Sequence, residues 1–182
     1  MIKHYFHKVV DGPVDEVYRV FRDRQVEMNL KLPGVAGCRV VNSEKKDEVK
    51  NKIVLEMKGK TNIPGFLKPF LNDDSLIWRN HQEWDDMERT CSYYTEAVYF
   101  RDSVDASGIW KFSESRAGLT DIYINSMIDI DTRGISGLPD QLVEPASRIV
   151  EDILHRISRP NLNRVIKYAS DIVKEDLPGN GQ

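Results

Sequence analysis

The sequence is poor in cysteine, and its two cysteines, Cys38 and Cys91, are far apart. A metal site would need His or Cys partners a few residues away, and neither cysteine has them. Two such thiols in segments of strand character are more often free and buried than bridged, although the spacing leaves a disulfide open. We expect a structural role for both cysteines, and the sequence indicates no metal site and no cofactor.

Long apolar runs are also missing, since none approaches the ~18 residues of a membrane span. The opening residues, MIKHYFHKVVDG, contain neither a signal-peptide core nor a small-residue cleavage site. The net charge of -3, from 26 Lys and Arg against 29 Asp and Glu, provides no general attraction to nucleic acid or anionic membrane. We expect a cytoplasmic protein that binds no nucleic acid and does not insert stably into a membrane.

Motifs for common chemistry are missing as well: the chain has no Gly-rich phosphate loop, no metal-binding histidine pair and no nucleophile elbow. His4 and His7 are three residues apart in a segment of strand character, so they point to opposite faces and cannot hold a metal together. His155 follows Glu151 by four residues in a helical segment, and pairing between them explains it. We assign no catalytic residue from the sequence.

One charged row and a group of tyrosines leave chemistry open. A histidine beside a carboxylate can form a general base, and tyrosines in a cavity can donate protons. The row occupies alternate positions of one strand segment, opposite two tryptophans and a leucine, so we expect it to face solvent and form cross-strand ion pairs. Packing explains the tyrosines, which are common in strands. The row is Arg79, His81, Glu83 and Asp85, and the tyrosines are Tyr93, Tyr94, Tyr99 and Tyr123.

The length of 182 residues fits one domain and is sufficient to bury a core. Hydrophobic residues at 40% and charged residues at 30% are ordinary for a globular protein. No repeat or linker interrupts the chain, and only the end, LPGNGQ, has the composition of a disordered segment. We expect a single domain over residues 1–176 and a disordered tail over residues 177–182.

The first segment predicts a strand followed by two short helices. Pro13 suits the first position of a helix, and Asp11 can cap it. The expected ranges are residues 2–10 for the strand, 13–24 for the first helix and 25–32 for the second. From residue 38 onward the hydrophobic period switches to two, which indicates β-strands. The expected strands of this antiparallel meander are residues 38–43, 49–58, 75–85, 89–100, 103–115 and 119–130.

The segment GKTNIPGFLKPFLNDD, residues 59–74, interrupts the meander with two prolines, two glycines and several apolar side chains. One interpretation is a hydrophobic loop packed against the sheet edge. The other is a gate whose Phe66 and Phe70 cover a cavity mouth or dip into a membrane during ligand exchange, which predicts transient membrane contact.

Residues 137–176 predict a long amphipathic helix. Apolar side chains form one stripe before Pro160 and a second stripe after it. At ~1.5 Å per residue a straight rod of this length spans roughly 58 Å, so we expect Pro160 to kink or split it. The stripes are Ile149, Val150, Ile153, Leu154 and Ile157, then Leu162, Val165, Ile166, Ala169, Ile172 and Val173.

The order of strand, two helices, about six strands and one long helix resembles the helix-grip fold of the START-like superfamily, also called SRPBCC. The resemblance covers nearly the whole chain, and HKVVDGPVDEVYRVFRD and LysLeuProGlyVal carry it locally. It implies an α+β fold in which a curved antiparallel sheet of about seven strands wraps on the C-terminal helix, with two short helices after the first strand. A weaker similarity to PRELI-type lipid-transfer proteins lies in TNIPGFLKPFL and QEWD, but that family's basic phospholipid-binding residues have no clear counterpart here.

In that superfamily the sheet and the terminal helix leave a cavity, which relatives use for sterols, phospholipids, plant hormones or polyketides. The inward-facing positions of the predicted strands combine large apolar side chains with scattered polar ones, which is the usual form of a small-molecule site. The alternative is that the polar side chains pair with each other or with water in a packed core. The expected ligand-binding residues are Asn51, Ile53, Leu55, Met57, Phe66, Phe70, Trp78, Asn80, Gln82, Trp84, Trp110, Phe112, Ile124, Ser126, Ile128, Ile149, Ile153 and Ile157.

The resemblance therefore implies a protein that binds, and in some relatives transports, a lipid or another hydrophobic small molecule. The first alternative is an enzyme of the polyketide cyclase or aromatase kind that uses the same cavity, and the sequence favours it less. The second is an interaction domain whose helix docks on a partner protein and whose interior is filled by side chains. In the binding hypothesis the stripe of Ile149, Ile153 and Ile157 roofs the cavity between Pro145 and Pro160.

Overall fold

The computed structural model describes residues 2–60, 65, 68–69, 76–98, 104–130 and 139–176, without the side chains of residues 2, 104, 130, 146–147 and 149–160. The predicted gate, apart from a few of its residues, and the predicted tail lie outside the described residues. In this part of the chain no helix is both long enough and apolar enough to cross a membrane.

Seven strands form one antiparallel sheet in the order β1-β7-β6-β5-β4-β3-β2. The sequence of elements agrees with the predicted one, and the α+β helix-grip fold is confirmed. The elements are β1 Ile2–Asp11, α1 Val14–Asp23, α2 Gln25–Leu30, β2 Val35–Lys45, β3 Lys50–Gly59, β4 Ile77–Asp85, β5 Thr90–Ala97, β6 Val104–Arg116, β7 Leu119–Ile130 and α3 Asp140–Asp176.

Irregularities in its ladders contribute to the curvature of the sheet. Strands β2 to β7 follow one another as a meander, and β7, the last strand, pairs with β1, the first. Register shifts occur at two places between β2 and β3 and at one place between β6 and β7, and such bulges bend a strand and increase its twist. Strands β1 and β2 are the two edges of the sheet, and the chain passes from one to the other through α1 and α2. The helix pair therefore connects the two edges.

The start of α1 differs from the prediction. Pro13 is the residue before the helix, in an extended conformation and without a side-chain cap. Asp11 does not cap either, because it is the last residue of β1, and its carboxylate lies 3.2 Å from the ammonium of Lys174. The turn is held instead by the backbone of Gly12, whose N–H donates to Gly118 at 2.9 Å and whose carbonyl accepts from the Thr120 hydroxyl at 2.8 Å.

The terminal helix is one element of 37 residues from Asp140 to Asp176. Of the two predicted effects of Pro160, the split is wrong and the kink stays a prediction. The helix continues because a proline removes one backbone hydrogen bond while packing of the following turns maintains the helix. Those turns are well packed: Ile166, Ala169, Ile172 and Val173 are buried against the core. The second predicted stripe is thus confirmed, whereas the first, with Ile149, Ile153 and Ile157, lies among side chains outside the described set.

An aromatic cluster joins the helices to the sheet. Phe112 of β6 is 2% exposed and lies at its centre. It meets Tyr18 edge to face at a ring separation of 5.6 Å and Phe21 at 5.2 Å, and Trp84 and Trp110 stack beside it, each at 6.4 Å. Such contacts add to the free energy of burying the rings. This cluster fixes α1 over one end of the sheet and leaves the remainder of the concave face to the site described next.

Candidate ligand-binding site

A cavity of about 250 Å³ lies between the concave face of the sheet and the helices. Strands β3 to β6 supply one wall, α1 and α2 supply the second, and the middle of α3 supplies the third. Its lining residues are Phe21, Gln25, Met28, Asn29, Leu32, Leu55, Met57, Asn80, Gln82, Trp84, Cys91, Tyr93, Trp110, Asn161, Leu162 and Val165.

The alternation of the strands places these side chains on one face. Leu55 and Met57 are two residues apart in β3, and Asn80, Gln82 and Trp84 are alternate residues of β4. Residues in alternation along a strand share a face, and the register sets Leu55 opposite Asn80. A continuous wall of the cavity therefore follows from the period of two that the sequence shows.

The polar end of the cavity is a cluster of amides centred on Gln82. The Gln82 amide nitrogen donates to Gln25 at 2.7 Å and to Asn80 at 2.6 Å. Its oxygen accepts the indole N–H of Trp84 at 2.7 Å. Asn80 in turn donates to the hydroxyl of Thr95 at 2.7 Å. Both amide hydrogens of Gln82 are thus in use, which fixes the orientation of its side chain.

The rest of the wall is apolar. Met28 and Leu55 are each 1% exposed, and Val165 faces them from α3. Cys91 also lies in the wall, and burial raises the pKa of its thiol well above the usual range, so the group stays a neutral thiol near pH 7. An apolar wall with a few oriented polar groups at one end is the common form of a small-molecule pocket.

Tyr93 of β5 stands at the edge of the cavity, above Gly108 of β6, its cross-strand partner. A Cβ on Gly108 would lie 2.8 Å from the Tyr93 hydroxyl oxygen, so the ring lies directly over the glycine backbone. Burial raises the pKa of Tyr93, and hydrogen bonding with Ser126 and Trp110 partly offsets that rise. The hydroxyl is therefore protonated at neutral pH.

A second cavity of about 150 Å³ adjoins the first on the side of β1 and β7. His4 reaches it from β1, whereas His7 stacks on Tyr123 with ring centroids 4.4 Å apart and contacts Asp121 at 2.6 Å. The prediction that the two histidines face opposite sides of the sheet is confirmed. The lining residues of this cavity are His4, Tyr5, Phe6, Tyr93, Trp110, Ile124, Ser126, Ile128 and Leu162.

The predicted site residues fall into three groups. Nine of them line one or both cavities, four lie elsewhere in the described structure, and five fall on undescribed residues or side chains. The first group is Leu55, Met57, Asn80, Gln82, Trp84, Trp110, Ile124, Ser126 and Ile128. The last group is Phe66, Phe70, Ile149, Ile153 and Ile157.

The four residues that lie elsewhere are on the expected strands but line neither cavity. Phe112 is in the aromatic core under α1. Asn51 donates to Asp86 at 3.4 Å, Ile53 packs against the core, and Trp78 covers Gly59, where an added Cβ would meet its ring at 2.8 Å. Alternation identifies the face of a strand and does not say which positions a helix covers.

Eight lining residues lie in or next to the helices and were not among the predicted site residues. Four of them have the i, i+3, i+4, i+7 spacing of a single helix face, and this pattern was a signal in the sequence for an inward face with two amides. One of these amides, Asn29, is fixed by donation to the backbone of Gln25 at 2.9 Å. The eight are Phe21 in α1, Gln25, Met28, Asn29 and Leu32 in or just after α2, and Asn161, Leu162 and Val165 in α3.

The charged row of β4 lies on the convex face, as predicted. Arg79 donates to Glu56 at 3.0 Å. His81 contacts Glu96 at 3.2 Å and stacks on Tyr94. These side chains form cross-strand pairs on the outer surface, so this row supplies no histidine or carboxylate to the cavity. The two cysteines are free, also as predicted.

The structure thus combines a helix-grip fold with two cavities between the sheet and the helices. Among solved structures, the chain is similar to the Zhui aromatase/cyclase from Streptomyces sp. R1128, with 17% identity, a TM-score of 0.67 and coverage of 94% of this chain and 95% of that chain. It is also similar to TTHA0849 from Thermus thermophilus, with 14% identity, a TM-score of 0.65 and coverage of 96% of this chain and 98% of that chain.

A third solved structure has a similar fold. Norcoclaurine synthase from Thalictrum flavum, in complex with dopamine and hydroxybenzaldehyde, matches with 13% identity, a TM-score of 0.57 and coverage of 98% of this chain and 90% of that chain. No family model matches the sequence, and no curated protein matches it. These likenesses establish the fold.

Proposed function

We propose that this protein binds a compact, largely apolar small molecule in the cavity between the sheet and the helices. The observation that carries the proposal is the combination of an apolar wall with an oriented amide cluster in an interior of about 250 Å³. An interior that served only as a packed core would have been filled by side chains, because protein cores leave few voids larger than a water molecule. Removal of apolar surface from water provides the driving force for binding.

The size of the cavity supports a ligand of two or three fused rings, or a short chain, over a lipid with two acyl chains. For scale, an engineered cavity of roughly 150 Å³ holds benzene. Of the ligands that the sequence left open, we therefore propose a compact hydrophobic molecule and not a lipid with two acyl chains. Gate opening by Phe66 and Phe70, transient membrane contact and a roof formed by Ile149, Ile153 and Ile157 remain predictions about residues or side chains outside the described set. We also propose that residues 1–176 act as a single domain in the cytoplasm.

The binding hypothesis is tested by isothermal titration with 2-acetylnaphthalene, whose bicyclic part suits the apolar wall and whose carbonyl suits a hydrogen-bond donor in that wall. Met57→Trp fills the cavity from β3, and Ile109→Trp, on the convex face of β6, is the matched control because Ile109 is exposed. We expect micromolar binding by the wild-type protein and the control, and at least tenfold weaker binding by Met57→Trp. Equal binding by both variants, or none by the wild-type protein, contradicts the proposal.

A second candidate function is a reaction of the aromatase/cyclase type, and Tyr93 is the observation that favours it. Its hydroxyl is a protonated donor at the cavity wall, where it could hydrogen-bond a ligand carbonyl. The fold is shared with proteins named as aromatase/cyclases. Incubation with a linear poly-β-carbonyl thioester distinguishes the two functions: turnover that Tyr93→Phe lowers at least tenfold supports the enzyme, and unchanged substrate supports the binding protein.

A further inference from the structure

The two cavities are separated by a thin partition rather than by a packed layer. Tyr93, Trp110 and Leu162 line both of them. We propose that the cavities are two chambers of one site, and that the ligand has two apolar lobes joined by a hydrogen-bonding oxygen at the partition. This inference rests on the proposed function and extends it by naming the ligand class.

Tyr93 is the side chain whose position defines the partition. Its ring lies over Gly108, where an added Cβ would come within 2.8 Å of the hydroxyl oxygen and 2.9 Å of a ring carbon. The added Cβ would also lie 2.5 Å from the backbone carbonyl oxygen of Asn125, so only glycine at position 108 leaves room for the ring in this place. The glycine lets the Tyr93 ring lie flat across β6, so that its hydroxyl projects toward Ser126 of β7, where the second chamber begins.

Polar groups at the partition follow one cross-strand row. Ser126 lies opposite Gly108 on one side and opposite His4 on the other, and Gly108 lies opposite Tyr93. The Tyr93 hydroxyl is hydrogen-bonded to Ser126. An oxygen of the ligand placed at the partition would therefore meet hydroxyl groups. The remaining walls of the second chamber are mostly apolar, with Phe6, Ile124 and Ile128 beside His4 and Tyr5 of β1.

The volumes indicate the size of each lobe. The second chamber, of about 150 Å³, equals in size the engineered cavity of roughly 150 Å³ that holds benzene, and it suits one six-membered ring. The first chamber, of about 250 Å³, suits a bicyclic lobe. Its amide cluster offers the bicyclic lobe polar contact beside the partition, because Gln82, which bonds to Gln25, is the cross-strand partner of Tyr93. A diaryl ketone is the simplest molecule with this outline.

Three probes separate the contributions of the second lobe and of the oxygen. The two-lobed ketone is 2-benzoylnaphthalene, 2-acetylnaphthalene lacks the phenyl lobe, and 2-benzylnaphthalene lacks the carbonyl. Isothermal titration gives the dissociation constant of each with the wild-type protein. We expect 2-benzoylnaphthalene to bind at least tenfold more tightly than 2-acetylnaphthalene and about fivefold more tightly than 2-benzylnaphthalene.

Variants of the protein test which side chains produce these differences in affinity. Ile128→Trp fills the second chamber, and Met127→Trp, the adjacent residue on the opposite face of β7, is the matched control. We expect Ile128→Trp to remove the tenfold advantage of the two-lobed ketone while the affinity for 2-acetylnaphthalene changes less than twofold. Tyr93→Phe should weaken the two ketones and leave 2-benzylnaphthalene unaffected. If thermal unfolding shows that Ile128→Trp does not fold, Ile128→Phe is the smaller substitution, with the same expectation.

The outcomes distinguish this inference from the function on which it rests. If 2-acetylnaphthalene binds and the phenyl lobe adds nothing, the single-cavity function stands and the bipartite site is wrong. Equal weakening of both ketones by Ile128→Trp, or an advantage that survives this variant, also overturns the bipartite site. If none of the probes binds the wild-type protein, both proposals fail.

Discussion

The side-chain nitrogen of Gln82 in β4 donates a 2.7 Å hydrogen bond to the side-chain oxygen of Gln25 in α2. Gln25 is 8% exposed, and its own nitrogen donates to the backbone of Arg22 at 3.1 Å. The bond connects the helix pair to the middle of the sheet across the polar end of the cavity. It keeps α2 at a distance from the sheet at which the interior stays open.

Replacement of Gln82 by methionine, which has a similar length, should destabilise the protein by about 2 to 3 kcal/mol, because it leaves the Trp84 indole N–H and the Gln25 oxygen without this partner. Chemical unfolding monitored by circular dichroism measures the change. The control is Glu83→Gln on the convex face of the same strand, whose lysine partners are 3.6 and 3.9 Å away and which should cost less than about 1 kcal/mol. Equal effects of the two substitutions would show that the amide cluster has no special role.

Two glycines with positive φ provide a test of packing beneath α1. Gly12 has φ of 138°, and an added Cβ would lie 2.6 Å from a methyl of Val173. Gly118 has φ of 77° and nothing within 4 Å of an added Cβ. Gly118→Ala should cost about 1 kcal/mol from backbone strain, and Gly12→Ala about 3 kcal/mol, because the clash is added to the strain. Equal losses in urea unfolding would show that α3 does not pack against this turn.

Acid should lower the free energy of unfolding, because it protonates Glu56 on the convex face of the sheet. Arg39, and then Arg79, hold the pKa of this carboxyl below its ordinary value of 4.5. A depressed pKa in the folded state stabilises the protein above the unfolded pKa, and that contribution disappears as the pH falls through the folded pKa. Glu56→Gln should therefore be less stable than wild type by up to about 1 kcal/mol near pH 7.

The difference in unfolding free energy between wild type and Glu56→Gln should shrink as the pH falls below about 4.5. Urea titrations at pH 7, 5, 4 and 3 measure it. A difference that stays constant over this range would mean that the carboxyl titrates alike in the folded and unfolded states. A difference that grows in acid would mean that the pKa of Glu56 is raised on folding and not lowered.

The two thiols should react slowly in the native protein. Burial raises the pKa of Cys38 to about 11, and the more deeply buried Cys91 is shifted further in the same direction. The thiolate is the reacting species, so a pKa two units above the usual 9.0 lowers the reaction rate at pH 8 by roughly a hundredfold. The disulfide reagent DTNB measures the rate, with the urea-unfolded protein as the control. Two thiols that react at equal rates with and without urea would contradict the burial.

Hydrophobic periodicity was sufficient to predict the order of the elements and the inward faces of β3, β4 and β7. The boundaries of β7, at Leu119 and Ile130, were predicted correctly. Alternation did not distinguish Trp110, at the cavity, from Phe112, in the core, since both face inward from one strand. That distinction depends on where α1 crosses the sheet, which is a property of tertiary packing and not of strand period.

The helical contribution to the site was harder to predict for a different reason. Gln25 and Asn29 read as ordinary polar residues of a short helix until the tertiary fold brings Gln82 opposite one of them. The role of Tyr93 depends likewise on the pairing of β5 with β6, which sets it over Gly108. At Pro160 the local rule for proline was outweighed by the burial of Ile166 and the turns that follow.

The central claim is that a small apolar molecule occupies the space between β3 and α3. Intermolecular nuclear Overhauser effects from 2-acetylnaphthalene to methyl groups of the protein test it most directly, because Leu55 and Val165 line the cavity from these two elements. The account predicts contacts from one bound molecule to both methyl sets. Contacts only to exposed methyl groups such as those of Val40 and Ile109, with none to Leu55 or Val165, would contradict it.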